Sequence, residues 1–199
     1  MADPAVRHPV AWRTIDELAG LVGAYCWVEH RLFEVTGAWA SEPGSGEARV
    51  DAADGELRVW CAAAAQRHGA LGERWAARLP VRAGVDPAAL VAAPAGLDGA
   101  LDELAATKEL AAGVRALVET VLPWIAGAYG SHLAAASPVS EASVMEVLVE
   151  AGRETRAETG GGRSLLERLE AAGTPARHLG TTFERAFADR AVFPAVRPA

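Results

Sequence analysis

Apolar residues in this chain return every three or four positions over stretch after stretch, and nowhere do they alternate with period two for long enough to make a strand. That spacing puts side chains on one face of a 3.6-residue helix. Ile15, Leu18, Val22, Tyr25, Leu32 and Trp39 mark one stripe, and Leu57, Cys61, Ala64, His68, Leu71 and Trp75 a second. A third runs through Leu110, Val114, Leu117, Val121, Ile125 and Ala128, and a fourth through Val144, Leu148 and Ala151. An all-α protein is expected, each helix burying one face.

The stops and starts divide these stripes. Thr14-Ile15-Asp16-Glu17 is a capping box, in which the Thr14 hydroxyl accepts an early backbone N–H and Glu17 reaches back. It opens a helix over about 15–40, which the Pro- and Gly-rich stretch 41–46 breaks. A second helix begins between Glu47 and Asp54 and stops at Pro80. Residues 81–96 read as a connection, with one helical turn started by Asp86 and Pro87. A third helical region covers 97–136, and Pro123 must kink or split it, because proline removes a hydrogen bond and crowds the preceding turn. A fourth covers 140–159 and ends at Gly160-Gly161-Gly162, with a short helix over 164–172 beyond. Thr181-Thr182-Phe183-Glu184 is another capping box, and the final FPAVRPA reads as extended. The resulting division is an N-terminal extension (1–13), a helical bundle domain (14–172) and a C-terminal tail with a short helix (173–199).

Composition removes several classes of function. With 199 residues, 51% of them hydrophobic, the chain buries enough surface for one ordered domain. A net charge of −7 argues against a nucleic-acid partner, which needs a basic stripe. The N-terminal MADPAVRHPVAWRT has no apolar signal core. The longest run without Asp, Glu, Lys or Arg, 120–140, carries Pro123, Gly127, Gly130 and His132, so it reads as a buried helix rather than a membrane span. A cytoplasmic protein without a membrane partner is expected. Lys108 is the single lysine and asparagine is absent, which suggests a GC-rich bacterial genome. Cys26 and Cys61 lie within helical patterns without metal-finger spacing, so both are expected as buried, reduced thiols. Neither a phosphate-binding G-x-x-x-x-G-K-[ST] loop nor a G-x-S-x-G nucleophile elbow is present.

The connections are short, then long, then short. Helices of 20 to 30 residues make a bundle about 35 Å long, and a connector the length of 81–96 can extend to about 50 Å. That pattern suits two antiparallel hairpins joined by a long crossover. The segments TIDELAGLVGAYCWVEHRLFEVTGAWA and RVWCAAAAQRHGALGERWAARLP resemble the first hairpin of the ferritin-like four-helix bundle proteins, the resemblance covering about 14–159. It implies a di-iron carboxylate centre, with an inward Glu on the first helix and an inward Glu-x-x-His on the second. Glu29 lies on the first stripe where an apolar residue is due, and His68 on the second. The pattern is degenerate elsewhere: Ala65 stands at the second-helix glutamate, and Glu154, the fourth-helix candidate, is followed three residues on by Ala157 instead of His. Glu119, in the third region, faces water. Glu29, His68 and Glu154 are then the candidate metal ligands, too few anionic oxygens for two irons.

A hydrogen bond between Glu29 and His68 across the hairpin accounts for both residues without a metal. The expectation is a non-catalytic bundle, with no catalytic residue and no cofactor, acting in binding, assembly or as a scaffold. One alternative is a metal-dependent oxidoreductase or oxygenase holding iron or manganese. The other is a small-molecule-binding bundle with a cavity lined by Tyr25, Trp60 and Trp124. His30 and Glu34 suit an exposed pair, Tyr129 and His132 read as capping and boundary residues, and His8 and His178 carry no signal. Phe183 and Phe187 give the tail an apolar spot that packs onto its own bundle or docks on another subunit or protein.

Overall fold

The computed structural model describes residues 13–41, 52–81, 83–174, 177–180, 183, 184 and 187. His8, the stretch 42–51, Thr181 and Thr182 of the second capping box, and FPAVRPA lie outside the described residues. Those described are all-helical, without a β-strand: α1 (Ile15–Ser41), α2 (Ala52–Ala76), a 3₁₀ turn (Pro87–Leu90), α3 (Leu97–Ala105), α4 (Leu110–Ala116), α5 (Leu122–Ala135) and α6 (Ala142–Ala171). A π-turn, Leu117–Val121, joins α4 to α5, making one continuous rod over Leu110–Ala135.

The capping box at Thr14 forms: Thr14 N–H donates to Glu17 Oε2 at 2.7 Å, and Glu17 N–H donates to the Thr14 hydroxyl at 3.2 Å. Of the first stripe, Val22, Tyr25, Leu32 and Trp39 are buried, while Ile15 at the helix start is exposed. The second stripe is buried throughout.

Residue pairs in contact fix the directions. Along α1 and α2 they run Trp39 with Arg58, Glu29 with His68, and Cys26 with Gly72, so the two are antiparallel. Along α2 and α6 they run Glu56 with Arg168, Arg67 with Glu158, and Arg74 with Glu150, again antiparallel. The rod meets α1 at Gly113 with Trp39, Tyr129 with Glu29, and His132 with Tyr25. It meets α6 at Arg115 with Glu170 and His132 with Glu141. Both rod pairings are antiparallel, so α2 and the rod run the same way.

The chain between α2 and the rod climbs along α1. The Leu90 carbonyl lies against Gly23, Asp102 of α3 pairs with Arg31, and Gly113 lies against Trp39. From Gly23 to Trp39 is about 24 Å of helix. A Cβ on Gly23 would stand 1.9 Å from the Leu90 carbonyl oxygen, so only glycine lets the climbing backbone lie flush on α1.

Three expected boundaries differ. The third region divides into α3 and the rod, with Ala106–Glu109 between them; no Gly or Pro marks that break. The discontinuity at Pro123 takes the form of the π-turn. Leu122 N–H bonds to the Leu117 carbonyl five residues back, and the widened turn leaves room for a proline ring that offers no donor. The glycine triplet does not stop the fourth helix, which runs unbroken through it to Ala171. Gly162 is buried there: a Cβ would meet Val118 Cγ2 at 2.4 Å and Trp60 at 3.0 Å, so the glycine sets helix spacing instead of helix length.

The rod is long and apolar enough by composition to cross a membrane, but 61% of its most apolar window is buried inside the bundle. Leu117, Val121, Leu122 and Ile125 are buried core residues, and the π-turn and α5 that carry them pack on α6. Both cysteines are buried and free.

Candidate functional site

Two polar clusters interrupt this core, one above the other. Residues four apart on α1, Tyr25 and Glu29, and three apart on the rod, Tyr129 and His132, share inward faces. Between the clusters lie the rings of Tyr25, Trp75 and Tyr129, with centroids 4.8 to 5.6 Å apart. Such aromatic pairs add about 0.5–1.5 kcal/mol each beyond their buried area.

The inner cluster is centred on His68, whose ring is 1% exposed. Its Nδ1 lies 2.6 Å from Glu29 Oε2, and its Nε2 lies 3.3 Å from Glu158 Oε1, an ion pair too poorly aligned to count as a hydrogen bond. The Tyr129 hydroxyl donates to the other Glu29 oxygen, and Arg67 Nε donates to Glu158 Oε2 at 3.2 Å. Side chains from α1 (Glu29), α2 (His68 and Arg67), the rod (Tyr129) and α6 (Glu158) therefore converge on one cluster. Burial opposes a charge on His68, but Glu158 and Glu29 outweigh it and push its pKa up to about 10. Burial likewise tends to raise Glu158, yet His68 and Arg67 hold it below the usual carboxylate value. Burial and then the neighbouring Glu29 push the Tyr129 phenol well up, so it keeps its proton and donates. Two carboxylates face an imidazolium and a guanidinium, and the cluster is neutral.

The outer cluster closes one end of the bundle. The Tyr25 hydroxyl is 3.0 Å from His132 Nδ1, and His132 Nε2 is 2.8 Å from Glu141 Oε2. Arg13 Nη1 reaches both Glu141 oxygens at 2.9 and 3.0 Å, and Ser137 N–H donates to Oε1 at 3.2 Å. Burial lowers the His132 pKa; the Glu141 hydrogen bond works the other way and the Arg13 charge adds to the lowering. The ring is therefore neutral at neutral pH, Nε2 donating to Glu141 and Nδ1 accepting from Tyr25.

Of the candidate ligands, Glu29 and His68 meet as expected, but Glu154 does not join them. It lies on the flank of α6, 3.8 Å from Arg74, and Glu158 one turn later is the carboxylate that points inward. The sequence held the signal, since Ala151, Thr155, Glu158 and Gly162 continue the fourth stripe at spacings of four and three. Ending that helix at the glycines put Glu158 at a frayed terminus. Tyr129 and His132 are not boundary residues: both are buried, because they extend the rod's stripe beyond Ile125 and Ala128. Glu34 pairs with Arg31 at 2.8 Å instead of with His30, whose exposed ring lies over Gly72.

Tyr25, Trp60 and Trp124 do not line one cavity. Tyr25 is sealed in the aromatic layer, Trp60 borders an open groove of about 470 Å³ between α2 and α6, and Trp124 packs edge-on against Phe187 at 5.4 Å. Phe183 and Phe187 are both buried with rings 5.1 Å apart, and Phe187 packs on Trp124 of the rod.

Glu29, His68 and Glu158 come nearest to a metal-ligand set, with both ring nitrogens of His68 turned to the two carboxylates. Among the described residues no group of three His, Cys, Asp or Glu side chains has the geometry to hold a metal ion. The donor set thus does not fit the di-iron centre that the resemblance implies. No protein-family model, curated protein or solved structure matches the chain.

Proposed function

We propose that this chain is a ferritin-like four-helix bundle whose metal position has been taken over by a protonated histidine, and that it works as a non-catalytic binding, assembly or scaffold protein. The observation that carries this reading is the His68 clamp. A single imidazolium lies between the inward carboxylates of α1 and α6, supplying the positive charge that a cation would otherwise provide. The helix directions favour the same ancestry: two antiparallel hairpins whose second and third members run the same way, with the intervening chain climbing along α1. The rod's apolar residues are buried in the core, with the rod packed on α6 and, through α4, on α2, which favours a cytoplasmic protein over a membrane-spanning one.

One observation favours a second reading. Glu29, His68 and Glu158 arrive from three helices, so an iron or manganese ion able to displace the His68 proton would find three donors of suitable type. Elemental analysis of protein purified from cells supplemented with iron and manganese separates the two. Substoichiometric metal, unchanged in His68→Gln, is expected; stoichiometric iron or manganese that disappears in His68→Gln overturns the proposal and restores a metal-dependent oxidoreductase.

A further inference from the structure

We propose that Arg13, Glu141 and His132 form an acid-released latch, in which protonation of His132 displaces Arg13 from Glu141 and frees the start of α1 from the turn between α5 and α6. The argument is one of charge in a closed space. The side chains of Arg13, Glu141 and His132 are 5%, 1% and 2% exposed, and they hold one guanidinium, one carboxylate and one neutral imidazole. A second proton on His132 must go to Nδ1, and the Tyr25 hydroxyl there must turn from donor to acceptor. Two cations then share one buried carboxylate, and a buried charge without a counter-charge is expelled or neutralised.

Position decides which cation leaves. His132 is built into α5, its ring stacks on Tyr25 at 5.7 Å, and its Nε2–H stays on Glu141 in either protonation state. Arg13 precedes α1, and among the described residues its Nη2 has no hydrogen-bond partner and its side-chain hydrogen bonds go to Glu141 alone. Among the described residues, the groups facing His132 are Tyr25 and Arg13 from α1 and its approach and Glu141 from the turn before α6. Trp75 of α2 packs on Tyr25 and carries no charge. Glu141 thus changes counter-ion as the pH falls, from the guanidinium to the imidazolium, and the N-terminal end of α1 is let go. Burial and the Arg13 charge both oppose the proton, so release lies below the ordinary histidine value of 6.5.

Antagonism between Arg13 docking and His132 protonation is reciprocal, so removing one must favour the other by the same factor. The test uses the full-length protein, with the His132 ring titrated by NMR and exchange of the α1 first-turn amides followed by mass spectrometry. In the wild type the amides are expected to lose protection about tenfold with the His132 midpoint, while far-UV circular dichroism stays constant. Arg13→Gln should raise the His132 midpoint by about one pH unit, the equivalent of a tenfold coupling, and Arg13→Lys, which keeps the charge, should leave it low. His132→Gln should hold the first turn closed through the same range. Equal midpoints in wild type and Arg13→Gln, an opening that persists in His132→Gln, or an opening that coincides with global unfolding would each overturn the latch.

Discussion

Replacing His68 by glutamine removes the one cation between Glu29 and Glu158 while leaving an amide of similar reach. The wild-type ring titrates near 10 in the folded protein against 6.5 when free. A pKa raised on folding gives stability that is fully present below the unfolded value and is lost as pH climbs through the folded one. Between those limits the loss is about 1.4 kcal/mol per pH unit, or on the order of 5 kcal/mol in all. That is a large share of the 5–15 kcal/mol that typically holds a domain folded. It also agrees with the roughly 3–5 kcal/mol lost when one partner is removed from a buried ion pair. Urea unfolding at a series of pH values reads this directly. From pH 6.5 to about pH 9 the wild type should lose about 3 kcal/mol, whereas His68→Gln should start lower by about that much and show a flatter profile. Identical slopes in the two proteins would refute the reasoning, since the titrating group would then lie elsewhere.

Glu158→Gln should cost about 3 kcal/mol or more in the same urea assay, by unbalancing a buried cluster, while Glu154→Gln on the α6 flank should stay within about 0.5 kcal/mol. The stabilising effect of Glu158 should also fade in acid. Its pKa is lowered on folding, so its contribution is present above the usual carboxylate value of 4.5 and is lost as pH falls through the folded one. Tyr129→Phe removes the phenolic donor to Glu29 and should cost about 1.5–3 kcal/mol, the range for hydrogen bonds to charged groups. Gly23→Ala places a methyl group on the Leu90 carbonyl and should lower the melting temperature by several degrees, while Gly20→Ala on the same helix, with open space around it, should not.

Helix content and the inward stripes were legible because burial follows the 3.6-residue period, and Val114, Leu117, Val121 and Ile125 are core residues as their spacing requires. Glu29 and His68 stood out for a related reason: a charged or titratable side chain on an apolar stripe needs a partner, and the nearest stripe supplied one. What the local pattern hid was tertiary. A glycine triplet in isolation ends a helix, but Gly162 is kept helical by its fit against Val118 and Trp60, and with that error went Glu158. The break between α3 and the rod carries no punctuation, since 106–109 holds neither Gly nor Pro. Arg13 gave no signal, since its partner Glu141 lies 128 residues away and becomes a neighbour only when both ends of the bundle are assembled.

The account depends on His68 carrying two ring protons, and nitrogen-15 NMR of the imidazole measures that most directly. Both nitrogens of His68 are expected to show the shifts of a doubly protonated ring at pH 8, with deprotonation only near 10. A neutral tautomer at pH 8, or a ring nitrogen bound to metal in protein from iron-fed cells, would contradict it.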